Sequence, residues 1–153
     1  MRANVVVMGP VAAVKSSLFK VFQLNTRAGR SEFWWTFLIL FGITCLSICV
    51  QIVVKQRSEE LRVLSDLLSS VGAFYYIGLF GYFLSICIRR LHDTNRNGFN
   101  LLYLLLPAGI GLIVVPIMLA QKGTIGFNKY GPDAEQEEAI LAKAIYDKAE
   151  EFG

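Results

Sequence analysis

The sequence predicts an all-α integral membrane protein with three transmembrane helices, an N-terminal helix in the membrane interface and a C-terminal helix on the surface. Three observations predict it. Hydrophobic residues make up 54% of the 153 and charged residues only 18%, with a mean hydropathy of +0.50, beyond the composition of an ordinary soluble domain. That excess is concentrated in three uncharged stretches of 22 residues, Phe33 to Val54, Leu67 to Ile88 and Phe99 to Ala120. At about 1.5 Å per residue each would make a helix of about 33 Å, enough to cross a hydrocarbon core of about 30 Å. Charge, finally, gathers between the stretches, most densely in RRLHDTNRNG, Arg89 to Gly98.

From the N-terminus, no acidic residue precedes Glu32, whereas Arg2, Lys15, Lys20, Arg27 and Arg30 do, a bias shared with targeting segments. Gly9-Pro10 breaks any helix begun at the start of the chain. From Val14 to Leu24, apolar Val14, Leu18, Phe19, Val21 and Phe22 recur near helical spacing among Lys15, Ser16, Ser17 and Lys20. Such a helix would lie in the interface with its apolar face toward lipid, or pack on the spans. Asn25 to Gly29 turns the chain, and Phe33, Trp34 and Trp35 supply rings suited to the headgroup boundary.

Gln51 is the most polar residue of the first span, and Lys55 to Asp66 is a charged connector. The second span carries small residues four apart, Ser69 with Ala73 and Gly81 with Ser85, which allow close helix approach. The third carries Pro107, Gly109, Gly111 and Pro116, so it should be kinked or locally unwound. A helical hairpin is not expected there, because each half would have only about ten residues, too few to span. Residues 121 to 134 read as a Gly- and Pro-rich loop closing a membrane domain over 1–134, and Glu135 to Phe152 as a surface helix in a tail over 135–153.

The central cluster must lie in water or headgroups, since uncharged spans flank it on both sides. Arg89, Arg90 and His92 follow the second span, where cations meet the negative end of a helix. Asp93, Thr94, Asn95 and Asn97 favour a turn, and Asn97-Gly98 tolerates positive φ. Basic residues ahead of the first span and in this cluster outnumber those on the connector and around Lys122 and Lys129, which predicts an inside N-terminus and, for three spans, a C-terminus across the membrane. Glu32 should then pair with Arg89, Arg90 or Arg96, and Asp93 with Arg27 or Arg30, because lone charges at a partly dry boundary are costly.

Three separated stretches resemble one family, that of the domain of unknown function 805, small inner-membrane proteins. They are TRAGRSEFWW, with Arg27, Arg30, Glu32, Phe33 and Trp34 in place; RRLHDTNRNG; and GTIGFNKYGPDA, through Gly123, Thr124, Gly126, Asn128, Tyr130, Gly131, Pro132 and Asp133. Thr26, Asn95, Asn97, Phe99 and Ala134 depart from the usual residues. The resemblance covers about residues 19 to 134 and implies three spans and a membrane location; the membrane expected is a bacterial-type inner membrane or the mitochondrial inner membrane. It implies no activity.

Function classes narrow from there. Cys45, Cys49 and Cys87 all lie within apolar spans, which gives no disulfide framework or zinc spacing. His92 is the one histidine, and no phosphate-cradling loop or nucleophile with a base appears, so neither catalysis nor a cofactor or metal is expected. A net charge of +3 without a basic stripe argues against nucleic acid. The expectation is a non-catalytic scaffold or accessory subunit of a larger membrane complex, with an energy-transducing inner-membrane complex as a candidate host, its partners lipids, including anionic headgroups, and other membrane subunits. Arg27, Arg30, Glu32, Trp34, Arg89, Arg90, His92, Asp93, Arg96, Asn128 and Tyr130 are the candidate structural, lipid or partner contacts. The alternative is an oligomeric channel or transporter, with Gln51 or the broken third span as its pathway.

Overall fold

Gly9 and Pro10 start the first helix rather than merely interrupting one. Gly9 is extended (φ −71°, ψ 166°) at the N-cap, and Pro10 takes the first helical position, where its missing N–H is no loss. The computed structural model describes residues 8–57, 62–137, 140, 143 and 144. Within them, α1 runs Pro10–Phe19, α2 Arg30–Arg57, α3 Arg62–Asp93 and α4 Ile110–Ala120, with a 3-10 helix at Gly98–Leu105 and a further 3-10 turn at Pro107–Gly109. The only β feature among the described residues is an isolated bridge between Asn128 and Gly131. The basic residue expected at the extreme N-terminus, Arg2, and the C-terminal helix beyond Glu137, apart from positions 140, 143 and 144, lie outside the described residues.

α1 begins four residues before the expected Val14 and ends before Leu24, at turns formed by the amides of Lys20, Val21 and Gln23. It buries Ala13, Ser16 and Ser17 and turns Leu18 and Phe19 outward; Phe22, just beyond it, is 93% exposed. Its inner face is thus the polar one. Among the described residues α2 and α3 are the two helices of membrane length, with apolar stretches of 26 residues (Arg30–Lys55) and 24 residues (Ser70–Asp93). They contain the first two expected spans. α3 runs on past the uncharged stretch, so Arg89 to Asp93 form its last turn and the chain reverses only at Thr94 to Asn97.

The chain divides into two compact units, one of Phe37–Leu84 and one of Met1–Thr36 with Ser85–Gly153. In the first, α2 and α3 meet through Phe37 and Phe83, whose ring centroids are 6.0 Å apart, and through a polar contact farther along. There Tyr76 Oη lies 3.0 Å from Ser47 Oγ and accepts a hydrogen bond from Gln51 Nε2 at 2.9 Å.

The second unit holds the largest departure from expectation. Residues 99 to 120 are not one continuous helix; they fold back on themselves. The 3-10 helix leaves from Ile88, where a Cβ on Gly98 would come within 3.0 Å of the Ile88 side chain. Leu106 is extended, Pro107 follows it, and Gly109 adopts φ +70°, which reverses the chain into α4. α4 then returns alongside the 3-10 helix, and Gly111 sits so close to the Tyr103 carbonyl that no side chain fits between them. The hairpin thought too short to form is therefore present. Its limbs satisfy backbone groups by local helical bonds.

Gly111→Leu should open this hairpin. The new side chain meets backbone, which cannot move aside, so a destabilisation at the upper end of the roughly 1–3 kcal/mol typical of overpacking is expected. Gly78→Ala, in open space, should be tolerated. Thermal unfolding of the purified protein in detergent, monitored by helical circular dichroism, checks both.

Candidate functional site

The last turn of α3 carries the residues that organise the second unit. Arg90 and Asp93, three apart, share one face of the helix and are ion-paired. Arg89 and Arg90 are fully enclosed, and Asp93 and Glu32 nearly so. Buried charge is costly without partners, and beyond the helix itself those partners come from two distant stretches of chain, residues 26–32 and 119–131.

Arg89 donates from Nη2 to Glu32 Oε1 at 2.8 Å and to the Arg27 carbonyl at 3.3 Å, and from Nε to Thr26 Oγ1 at 3.0 Å. Glu32 occupies the first turn of α2, where the positive end of the helix also favours it. The Arg89 carbonyl in turn accepts from the Ala28 amide at 3.1 Å. Arg90 donates to the carbonyls of Leu119 at 2.9 Å and Ala28 at 3.2 Å, to the Gln121 carbonyl and to Asp93. Two of those carbonyls belong to the last turn and cap of α4, which a guanidinium satisfies well.

Asp93 bridges two arginines, accepting from Arg27 Nε at 2.9 Å and from Arg90. The rest of the Arg27 guanidinium reads the closing loop: Nη1 donates to the Gly126 carbonyl at 2.6 Å and the Gly131 carbonyl at 3.3 Å, and Nη2 to the Thr124 carbonyl. That loop is also held directly. Thr124 donates its amide (2.9 Å) and hydroxyl (3.0 Å) to the Asp93 carbonyl, and Asn128 Nδ2 donates to the His92 carbonyl at 3.0 Å. Tyr130 stacks on His92, 3.7 Å between centroids and 7° between planes, with Lys129 Nζ 4.9 Å from the Tyr130 ring. Ser85 adds a bond from its hydroxyl to the Val21 carbonyl at 2.6 Å.

The expected pairings are present: Glu32 takes Arg89, and Asp93 takes Arg27. Arg30 stays at the surface, paired with Glu135 at 3.0 Å, and Lys20 lies 3.7 Å from Glu137. Trp34 is partly exposed and meets Phe33 edge-on at 5.1 Å. Arg96 is half-buried, and among the described residues its side chain has no ion-pair partner, so it stands apart from the network. The turn chemistry differs in one detail. Positive φ falls on Asn95 (57°), not on Asn97-Gly98, and Gly98 is needed instead for its closeness to Ile88.

Thr26 and the carbonyls of Leu119 and Gln121 were not foreseen as site groups, nor were Gly123 and Thr124. Gly123 leaves space for the Asp93 carboxylate, which a Cβ would strike. Gly123 and Thr124 lie in a motif that was visible, but a carbonyl leaves no mark in a sequence. Beside the network is a cavity of about 20 Å³ lined by Ser16, Lys20, Arg27, Glu32 and Glu137, the size of one water molecule. Chemically each carboxylate is held by at least one guanidinium and most of the surplus positive charge is met by backbone carbonyls, while Arg89 Nη1 is buried without a hydrogen-bond partner.

A double-mutant cycle tests the central pair. Glu32→Gln or Arg89→Met alone should cost about 3–5 kcal/mol, and the double variant distinctly less than the sum, because each single change strands one buried charge. Arg96→Ala should stay within about 0.5 kcal/mol of the parent. Denaturant titration in detergent micelles gives all the free energies.

Residues 21–132 match the model of a family described as protein of unknown function, DUF805. The chain is also 35% identical over 107 residues to inner membrane protein YhaI of Escherichia coli (strain K12), covering 70% of this chain and 81% of that protein. Inner membrane protein YhaH of the same organism is 31% identical over 112 residues, 72% of this chain and 86% of that one. No solved structure matches. The matched stretch contains Arg27, Glu32, Arg89, Arg90, Asp93, Asn128 and Tyr130, the whole of the buried network, and leaves α1 and the C-terminal tail outside.

Proposed function

The chain belongs to the DUF805 family of integral membrane proteins, and we propose that it acts in an inner membrane as a non-catalytic scaffold or accessory subunit of a larger assembly. The observation that carries this reading is where the charge goes. Arg27, Arg89, Arg90, Glu32 and Asp93 bind one another and the chain's own backbone, so the residues best suited to chemistry hold three segments in register. The names of the two relatives support the inner membrane as the location.

Partners would meet the parts that the network leaves outside. The tail begins at a rim marked by the Arg30–Glu135 and Lys20–Glu137 pairs, just past the family region, and it is the segment that would reach another chain. Anionic headgroups would meet exposed Lys122 and Lys129. They would not meet Arg89 and Arg90, whose side chains are enclosed, contrary to the sequence expectation.

A second reading, a transporter or channel, draws on one observation: Ser47, Gln51 and Tyr76 form a polar contact within otherwise apolar helices, near a cleft of about 260 Å³ lined by Phe37, Phe41, Thr44, Tyr76 and Phe83.

Mild-detergent extraction followed by native electrophoresis separates the two. The full chain should migrate in a complex well above its own mass, and a chain ending at Glu137 should insert in the membrane but migrate alone. Solute flux through liposomes holding only the purified chain would replace the scaffold reading with the transport one.

A further inference from the structure

The folded-back segment raises the question of which face of the membrane residues 121 to 137 occupy. We propose that residues 98–120 form a re-entrant hairpin that enters one leaflet, contacts its acyl chains and returns to the face it left, so that the C-terminal loop shares a side with α1. This is independent of the scaffold reading.

The ends of the segment carry the first argument. Gly98 packs on Ile88, Arg90 holds the Leu119 and Gln121 carbonyls, and Thr124 is bonded to Asp93, so departure and return lie within about a turn and a half of α3. A single helix over 99–120 would separate those ends by about 33 Å. The length of the limbs carries the second. Eight residues of 3-10 helix at about 2.0 Å and eleven of α-helix at about 1.5 Å both give about 16 Å, half of a core of about 30 Å.

The surface carries the third. No charge occurs from Phe99 to Ala120, and Phe99, Leu102, Leu105, Ile110, Leu112 and Ile113 are all exposed, Leu105 by 80%. α4 buries only Gly111, Val115 and Leu119. A patch of this extent on a chain that already spans a bilayer fits hydrocarbon and not water. At the tip, Leu106 donates its amide to the Tyr103 carbonyl at 3.0 Å, and Pro107 has no N–H to leave unpaired, as backbone at that depth requires.

Charge supplies a fourth, independent argument. With a third full span, Lys122 and Lys129 would fall on the side of the connector, beside Lys55, Arg57 and Arg62. With the hairpin, both lysines join Lys15, Lys20, Arg30 and Arg96, which sharpens the positive-inside asymmetry.

The test uses the full chain with Cys45, Cys49 and Cys87 replaced by Ala and single cysteines at Gln23→Cys, Ser58→Cys, Leu105→Cys or Phe127→Cys, in sealed proteoliposomes treated with an impermeant maleimide. The fraction labelled from outside should be equal for Gln23→Cys and Phe127→Cys and complementary for Ser58→Cys. Leu105→Cys should label only after detergent is added. Phe127→Cys following Ser58→Cys would establish a third crossing and overturn the proposal. Leu105→Cys reacting in sealed vesicles would overturn it as well, by placing the tip in water. Should any cysteine variant fail to fold, protease protection of a C-terminal tag on the otherwise native chain decides the same question. Cleavage together with an N-terminal tag supports the hairpin, and cleavage in the opposite vesicle population refutes it.

Discussion

The constraint on which the rest depends is that three guanidiniums and two carboxylates are enclosed together. An ion taken out of water costs several kcal/mol unless its hydrogen-bonding positions are filled. Glu32 and Asp93 neutralise two of the three positive charges of Arg27, Arg89 and Arg90. The third is met by dipoles, the carbonyls of Thr124, Gly126, Leu119, Gln121 and Ala28, all pointed inward. Because these groups come from residues 26–32, 89–93 and 119–131, no segment can leave without exposing a charge that the other two cannot satisfy. The cluster is a lock as much as a stabiliser.

Local backbone choices follow from that lock. Arg90 fills the carbonyl end of α4, so α4 ends at Ala120 without a glycine cap. The chain must then pass close to Asp93, which only Gly123 permits, and must turn its carbonyls toward Arg27, which the left-handed Gly126 (φ +76°) helps to do. Asp133 closes the loop by accepting from the amides of Gly126 and Glu135, both at 3.0 Å, and so caps the helical turn that begins the tail. A loop rich in Gly and Pro, formless by propensity, is thereby given one shape by its contacts.

How much of this a reader of the sequence could obtain divides along physical lines. α2 and α3 were legible because unbroken apolar length is a direct requirement of the bilayer, and the Glu32 and Asp93 pairings were legible because buried charge demands an opposite charge. The hairpin was not. Its 22 uncharged residues satisfy the length rule for a span as well as α2 does, and only Pro107 with Gly109 hinted that the stretch reverses. The decisive information, that Arg90 reaches the Leu119 and Gln121 carbonyls, lies in backbone atoms that every residue possesses. Gly98 was assigned to a turn for the same reason: a glycine in sequence does not say whether it serves torsion or space.

The second unit is arranged the opposite way from a domain folded in water. Its interior holds Arg27, Glu32, Arg89, Arg90 and Asp93 with Ser16, Ser17 and Thr36, while Leu18, Phe19, Phe22, Phe99, Leu105 and Ile113 face outward. In water such a fold would set a weakly favourable polar core against a strongly unfavourable surface. At a membrane the surface term changes sign and the core term grows. Outward residues that meet hydrocarbon are solvated by it, and charge-assisted bonds with less water to compete are stronger there. A polar core of this kind suits a chain whose outward face meets hydrocarbon, and the network gives that chain a defined shape.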